Sequence, residues 1–226
     1  MSTPTSPAPR SGVSGLVKNL NLLSSRVPFK NPQPIREFTA HIDKLQREYY
    51  GQDGNGDRKA YIPVTELARY WDRKKVQAIC KAFSPEPLSI SLDAVNPPRL
   101  RLFSILVYID KVDHFMSFLE HNISDIYLPL INVPQLFQSP VYQEVINGLR
   151  EHQWLFCPLV LEYAHLANVN LDARHILPFH YEEEIKKGDS AYVYRIKVDK
   201  ACDKLHKASP VPELMSSVGC VETNTG

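Results

Sequence analysis

The spacing of the apolar residues changes once along this chain, and that change constrains the fold more than any other feature. Over residues 35–149 apolar side chains recur every three or four positions, which places them on one face of an α-helix. Over residues 192–198 they alternate at the period of a β-strand, and residues 183–187 precede this strand across a turn at Gly188. The sequence therefore predicts a mainly α fold, in which a helical domain is followed by a short β-hairpin.

The predicted helices begin at residues that favour helix N-termini. Pro63 suits a first helical position because its missing N–H would have no partner there, and Asp72 and Asn96 have side chains that can cap a helix. The apolar positions place helices over residues 35–49, 63–67, 72–83, 100–109, 112–119 and 139–149. The helix over residues 100–109 is the most apolar, so we expect it to be central, with Leu106 in the core.

Both ends of the chain differ from this helical region. Residues 1–33 are rich in Ser, Thr and Pro and contain no acidic residue, which predicts a disordered leader. An apolar stripe inside this leader leaves two alternatives open, docking onto the folded part or an organelle transit peptide. The predicted organisation is completed by a helical domain over residues 34–171, a hairpin over residues 172–200 and a flexible tail over residues 201–226.

Composition excludes several classes of protein. Lys and Arg number 26 against 25 for Asp and Glu, and a net charge of +1 gives no broad attraction to nucleic acid or to an anionic membrane. The chain opens without the apolar run of a secretory signal, and its four cysteines form no CxxC pair. We therefore expect an intracellular protein, cytoplasmic or nuclear, with reduced thiols and a protein as its partner.

The spacing of Asp53, Asn55 and Asp57 is that of the first ligands of a calcium-binding EF-hand loop. The register fails, because Arg58 occupies the position of the required glycine and Val64 that of the bidentate glutamate. A solvated polar loop is the better interpretation, and no metal site is predicted.

Cys157 and the three histidines His165, His175 and His180 could supply metal ligands or a nucleophile and its base, but their spacing matches no motif. Cys157 lies in an apolar run, so an inert buried thiol is expected. The basic residues 73–75 at a helix start predict a solvated face rather than a nucleic-acid patch.

The most specific pattern lies in the predicted hairpin. Residues 176–179 are Ile-Leu-Pro-Phe, and residues 184–194 are Glu-Ile-Lys-Lys-Gly-Asp-Ser-Ala-Tyr-Val-Tyr. This resembles the start of a protein-kinase domain, where two strands and a glycine-rich turn cover ATP. The resemblance implies that Ile185, Gly188 and Val193 are the ATP-binding positions, with Gly188 as the middle glycine and Val193 against the adenine.

Two positions depart from this pattern, because Lys186 and Ala191 stand where the outer glycines belong. An ordinary hairpin with a glycine turn is the alternative.

The helical region extends the resemblance. Four segments, at residues 61–63, 102–107, 123–129 and 154–158, look like the helical region that precedes the kinase domain in a family of fungal protein-kinase-like proteins. The similarity spans residues 35–198.

The motifs that kinase catalysis requires are not identifiable. The sequence contains no V-A-I-K, H-R-D or D-F-G, and only 47 residues follow Phe179. We therefore expect no enzyme, no catalytic residues and no cofactor other than the ATP implied by the resemblance. The expected function is that of a truncated pseudokinase acting as a helical protein-interaction or regulatory domain. The alternatives are the N-terminal part of an active serine/threonine kinase whose remainder is missing, and an unrelated helical adaptor.

Overall fold

The computed structural model of this protein describes residues 32–83, 90–95, 97–132, 134–162, 172–187, 192–205 and 219–221. Its helices are α1 (Gln33–Glu48), α2 (Val64–Tyr70), α3 (Arg73–Phe83), α4 (Leu92–Val95), α5 (Leu100–Tyr108), α6 (Phe115–Glu120) and α7 (Gln143–Phe156). Its strands are β1 (Tyr50–Gln52), β2 (Arg58–Ala60), β3 (Phe179–Lys187), β4 (Tyr192–Val198) and β5 (Gly219–Val221). The prediction of a mainly α fold with a hairpin is confirmed. The predicted leader lies outside the described residues, apart from its last two positions.

Most of the predicted helices are present close to their predicted bounds. Asp72 caps α3 as expected, because its Oδ1 accepts the backbone N–H of Lys75 at 2.8 Å. Pro140 begins a short 3₁₀ turn, Pro140–Tyr142, that leads directly into α7. The structure adds α4 and the pair β1–β2, which the apolar spacing did not predict. In the described part of the chain, no helix is both long and apolar enough to cross a bilayer.

Helix α5 is central, as predicted. Every residue from 102 to 107 is buried, and the helix contacts α1, α2 and α7. Its one buried polar side chain, Ser104, accepts a hydrogen bond from Trp71 Nε1 at 2.9 Å and donates one to the Leu100 carbonyl at 2.7 Å. Because both polar groups are paired, these hydrogen bonds offset the cost of removing them from water.

The start of α5 differs from the prediction. The helix begins at Leu100 rather than beside Asn96, which lies outside the described residues. Its first turn is capped by Asp125, whose Oδ2 and Oδ1 accept the backbone N–H groups of Arg101 and Leu102, each at 2.9 Å. Burial raises the pKa of Asp125, and these hydrogen bonds oppose that shift. A residue more than twenty positions away therefore replaces the local cap.

Replacing Asp125 by Ala should lower the free energy of unfolding by about 1 to 3 kcal/mol, because two N–H groups at a partly buried helix start lose their acceptors. Urea denaturation followed by circular dichroism measures this loss. Asp113→Ala is the control, since Asp113 is exposed and should change stability by less than about 0.5 kcal/mol. Equal effects of the two variants would show that Asp125 does not cap α5.

The predicted hairpin is confirmed as the antiparallel pair β3–β4, and β5 adds a third antiparallel strand on the other side of β4. The turn at residues 188–191 lies outside the described residues. The hairpin joins the rest of the protein through β1, because Gln52 and Leu177 exchange both backbone hydrogen bonds, at 3.1 and 2.7 Å. Residues just before β3 therefore extend the β1–β2 pair.

The turn between β1 and β2 corrects one prediction. Residues 54–57 are exposed, as a solvated loop requires, but Asp53 is buried. Its Oδ1 accepts the backbone N–H groups of Asn55 and Asp57 at 2.9 and 3.0 Å. Asp53 is therefore a turn-forming residue whose burial is offset by these hydrogen bonds.

The predicted tail begins at residue 201, and its first residues pack against the rest of the protein. Cys202 is buried, and its carbonyl accepts the N–H of Leu161 at 2.8 Å. The Leu161 carbonyl in turn accepts the N–H of Lys204 at 3.0 Å. The division into four segments stays a prediction, because the remaining tail residues lie mostly outside the described part.

Candidate functional site

The base of the hairpin is anchored in a small apolar cluster of Tyr61, Trp154, Ile176 and Cys202. Tyr61 is fully buried, and its hydroxyl donates a hydrogen bond to Asp199 Oδ2 at 3.0 Å, directly after β4. Burial raises the pKa of Tyr61, and the charge of Asp199 raises it further, so the hydroxyl stays a donor at neutral pH. The hairpin is thus held near both of its ends. Gln52 of β1 binds Leu177 before β3, and Tyr61 binds Asp199 after β4.

The three positions implied for ATP have different places in the structure. Ile185 lies in β3 at a β-bulge, between the pairs Glu184–Tyr194 and Lys186–Val193, and it is 47% exposed. Val193 lies in the middle of the sheet, paired on one side with Lys186 and on the other with Cys220. Gly188 lies outside the described residues. The structure therefore brings the backbones of Ile185 and Val193 onto adjacent strands.

Strand β3 carries glutamates that oppose phosphate binding, followed by Lys186 and Lys187, which attract phosphate. Three consecutive glutamates, residues 182–184, come immediately before Ile185. Glu183 forms an exposed ion pair with Arg195 at 3.2 Å, and Glu184 is exposed. Carboxylates beside a triphosphate raise its energy, whereas kinase loops present backbone N–H groups to it.

The residues considered as metal ligands serve other roles. Lys59 Nζ lies 3.8 Å from Asp53 Oδ2 and 3.7 Å from Asp57 Oδ2, so a lysine already offsets part of the negative charge of this turn. Over the residues that the structure describes, no group of three or more His, Cys, Asp or Glu could hold a metal ion.

The three cysteines whose side chains the structure describes, Cys80, Cys157 and Cys202, are buried. Burial raises the pKa of Cys157 and of Cys202 to about 12 each, which keeps both protonated at neutral pH. His175 packs edge-on against the Trp154 ring at 4.9 Å. His165 and the side chain of His180 lie outside the described residues.

The connector between α6 and α7 exposes large apolar side chains that the sequence analysis did not select. Ile126 is 82% exposed, Ile131 50% and Tyr127 48%; we call these three residues the connector surface. The neighbouring Leu130 is buried, and its N–H donates to the buried Gln153 Oε1 at 2.5 Å, which fixes the connector against α7. The sequence feature that could have indicated these residues is the presence of large apolar side chains in a segment that lacks helical spacing.

A cavity of about 390 Å³ lies beside the connector surface and shares Ile131 with it. We call it the α7 cleft. It is lined by Ile131, Asn132, Phe137, Gln138, Gln143, Ile146 and Arg150. Arg150 Nη2 donates to the Ile131 carbonyl at 3.4 Å across the cleft.

Comparison with known proteins adds no relative, because no protein-family model, no curated protein and no solved structure matches this chain.

Proposed function

We propose that this chain is a non-catalytic, protein-binding part of a protein-kinase-like protein. The observation that carries the proposal is the connector surface, where three large apolar side chains are exposed on a backbone held by the Leu130–Gln153 hydrogen bond. Exposed apolar patches are typical of protein-binding sites, and these three residues expose apolar area within six positions of the chain. A helical domain with a closed core around α5 can present such a surface without moving.

The absence of catalysis is supported by the hairpin itself. Lys186 and Ala191 replace two glycines of the kinase pattern, and three glutamates, residues 182–184, lie close before them on β3. Lys197, four positions beyond Val193, is exposed on β4 and so lies on the second strand, where a kinase has no phosphate-binding lysine.

A second candidate function is that of the N-terminal part of an active serine/threonine kinase. It is favoured by one observation, the adjacency of Ile185 and Val193 on antiparallel strands. In this candidate the catalytic remainder is missing from the chain, so saturable ATP binding at the hairpin would favour it, whereas a lack of binding fits both candidates. A downstream reading frame that encodes the missing Lys and Asp motifs would also favour this candidate.

Calorimetric titration of the full chain with Mg-ATP at about 0.15 M salt should give no saturable heat. At this ionic strength the Debye length is about 8 Å, so salt weakens the attraction of phosphates to Lys186 and Lys187. Val193→Asp tests the adenine position, and Val141→Asp is its control, because Val141 is exposed and lies outside the hairpin. Saturable binding in the micromolar range that Val193→Asp abolishes, and that Val141→Asp and added salt do not, would support the kinase candidate instead.

A further inference from the structure

The α7 cleft has two walls that are held together by hydrogen bonds. Gln143, Ile146 and Arg150 have the spacing of one helical face and form the α7 wall. The opposite wall is the connector, which α7 holds at Leu130 through Gln153 and at Ile131 through Arg150. The cleft is therefore already formed without a ligand, and binding needs little ordering of the protein.

The floor of the cleft is apolar and rigid. Phe137 and Ile146 form this floor but are only 2% and 3% exposed, so most of the apolar surface open to a ligand belongs to Ile131, which is 50% exposed. The Phe137 ring stacks on Phe118 with centroids 4.7 Å apart and meets Tyr142 edge-on at 5.0 Å. Ile131, packed beside this fixed floor, suits contact with an aliphatic side chain of a ligand.

The rim of the cleft is made of carboxamides. Asn132, Gln138 and Gln143 line it, and each carries N–H donors and a C=O acceptor; Gln143 Nε2 donates one N–H to Asn147 Oδ1 at 3.0 Å, which leaves its second N–H and its carbonyl. A polypeptide main chain presents the same two groups in alternation. The rim therefore matches an extended peptide better than a purely apolar ligand.

The charge of the cleft indicates which charged group its ligand carries. Arg150 is the one charged residue that lines the cleft, and it forms no ion pair with any residue that the structure describes. Its guanidinium has five N–H donors, and its contact with the Ile131 carbonyl uses one of them. A carboxylate is the group that satisfies the others in a planar, two-bond geometry.

We propose that the α7 cleft binds a short extended segment of a partner protein in which an aliphatic side chain lies close to an acidic one. The aliphatic group packs against Ile131 above the floor formed by Phe137 and Ile146, and the carboxylate binds Arg150. The inference rests on the proposed protein-binding function and gives the chemistry of the partner.

The test uses acetylated, amidated peptides in which a leucine and a glutamate are separated by no, one or two glycines. Each is titrated into the ¹⁵N-labelled full chain, and amide chemical shifts are followed by NMR. We expect saturable shift changes at residues 131–138 and 143–150. Replacing the glutamate of the peptide by glutamine, or Arg150 by Gln, should each weaken binding about fivefold, as expected for the loss of one exposed ion pair.

Arg73→Gln is the matched control, because Arg73 is an exposed arginine at the start of α3 and does not line the cleft. It should leave the peptide affinity unchanged, whereas Ile131→Ser, which removes an apolar part of the wall, should weaken binding. The NMR spectrum of each variant also verifies its fold. The proposal is overturned if no peptide shifts these amides at millimolar concentration, if the glutamine peptide binds equally well, or if acetate alone produces the same changes.

The peptide test and the Mg-ATP titration have independent outcomes. A chain that binds neither ATP nor these peptides would contradict the cleft assignment alone, and a chain that binds ATP at the hairpin would contradict the proposed function.

Discussion

Replacing Leu106 by Ala is expected to lower the free energy of unfolding by about 2 to 5 kcal/mol, the range found when a buried leucine leaves a cavity. Leu106 is fully buried in the middle of α5, and all of its neighbours from 102 to 107 are buried as well. Helix α5 contacts α1, α2 and α7, so the cavity would open where the main helices meet. Because the surrounding helices are closely packed, their side chains can fill only part of the cavity.

Urea denaturation followed by circular dichroism measures this effect, with Ile126→Ala as its control. Ile126 belongs to the connector surface and is 82% exposed, so its truncation should cost less than about 0.5 kcal/mol. A loss below about 1 kcal/mol for Leu106→Ala would contradict its placement in the core. The control also verifies that the connector surface can be altered for binding studies without loss of the fold.

The helices could be predicted from the sequence because their signal is local and repeated. In α1 the apolar residues recur at helical spacing, and the four of them that are buried, Ile35, Phe38, Ile42 and Leu45, form the face against the core. Asp72 was predictable for the same reason, since a cap and the helix it caps are neighbours in the chain. The hairpin β3–β4 was also found from its alternation of residues.

Features that depend on distant parts of the chain could not be predicted in this way. The cap of α5 comes from Asp125, and nothing within the α5 segment specifies it. The pair β1–β2 has three residues in each strand, too few for an alternation to be visible. Asp53 was expected to be solvated because charged residues usually are, and its burial depends on a turn that only the folded chain shows.

The candidate sites also divide into those with a local sequence pattern and those formed by distant parts of the chain. Ile185, Gly188 and Val193 were selected from a linear pattern, and the structure tests only the placement of the strands that carry the first and the last of them. The α7 cleft combines residues of the connector with Arg150 on α7, and it exists only once these elements pack. A cavity formed by two elements has no sequence pattern of its own.

The close approach of two backbones at Gly51 gives the second large effect. A Cβ atom on Gly51 would lie 2.0 Å from the Leu177 carbonyl oxygen and 3.2 Å from Pro178 Cα. These are backbone atoms, which cannot turn away as the end of a side chain can. With alanine at this position, β1 must separate from Leu177, and the two hydrogen bonds between Gln52 and Leu177 are lost.

Gly51→Ala is therefore expected to lower the free energy of unfolding by about 2 to 6 kcal/mol, the sum of an overpacking cost and of two lost hydrogen bonds. Gly148→Ala makes the same substitution inside α7, where the new Cβ would meet only the flexible end of the Ile109 side chain at 3.0 Å. Because alanine also favours a helix over glycine by about 1 kcal/mol, this control should be close to neutral.

Hydrogen exchange locates the effect of Gly51→Ala as well as its size. Because β1 and Tyr61 hold the two ends of the hairpin, loss of the β1 contact should speed exchange of the amides of Leu177 and of β3 more than that of α5. Equal acceleration in α5 and β3 would mean that the hairpin unfolds only together with the helical core. Unchanged exchange at Leu177, with a stability equal to that of the Gly148→Ala control, would show that residues 51 and 177 do not approach each other in solution.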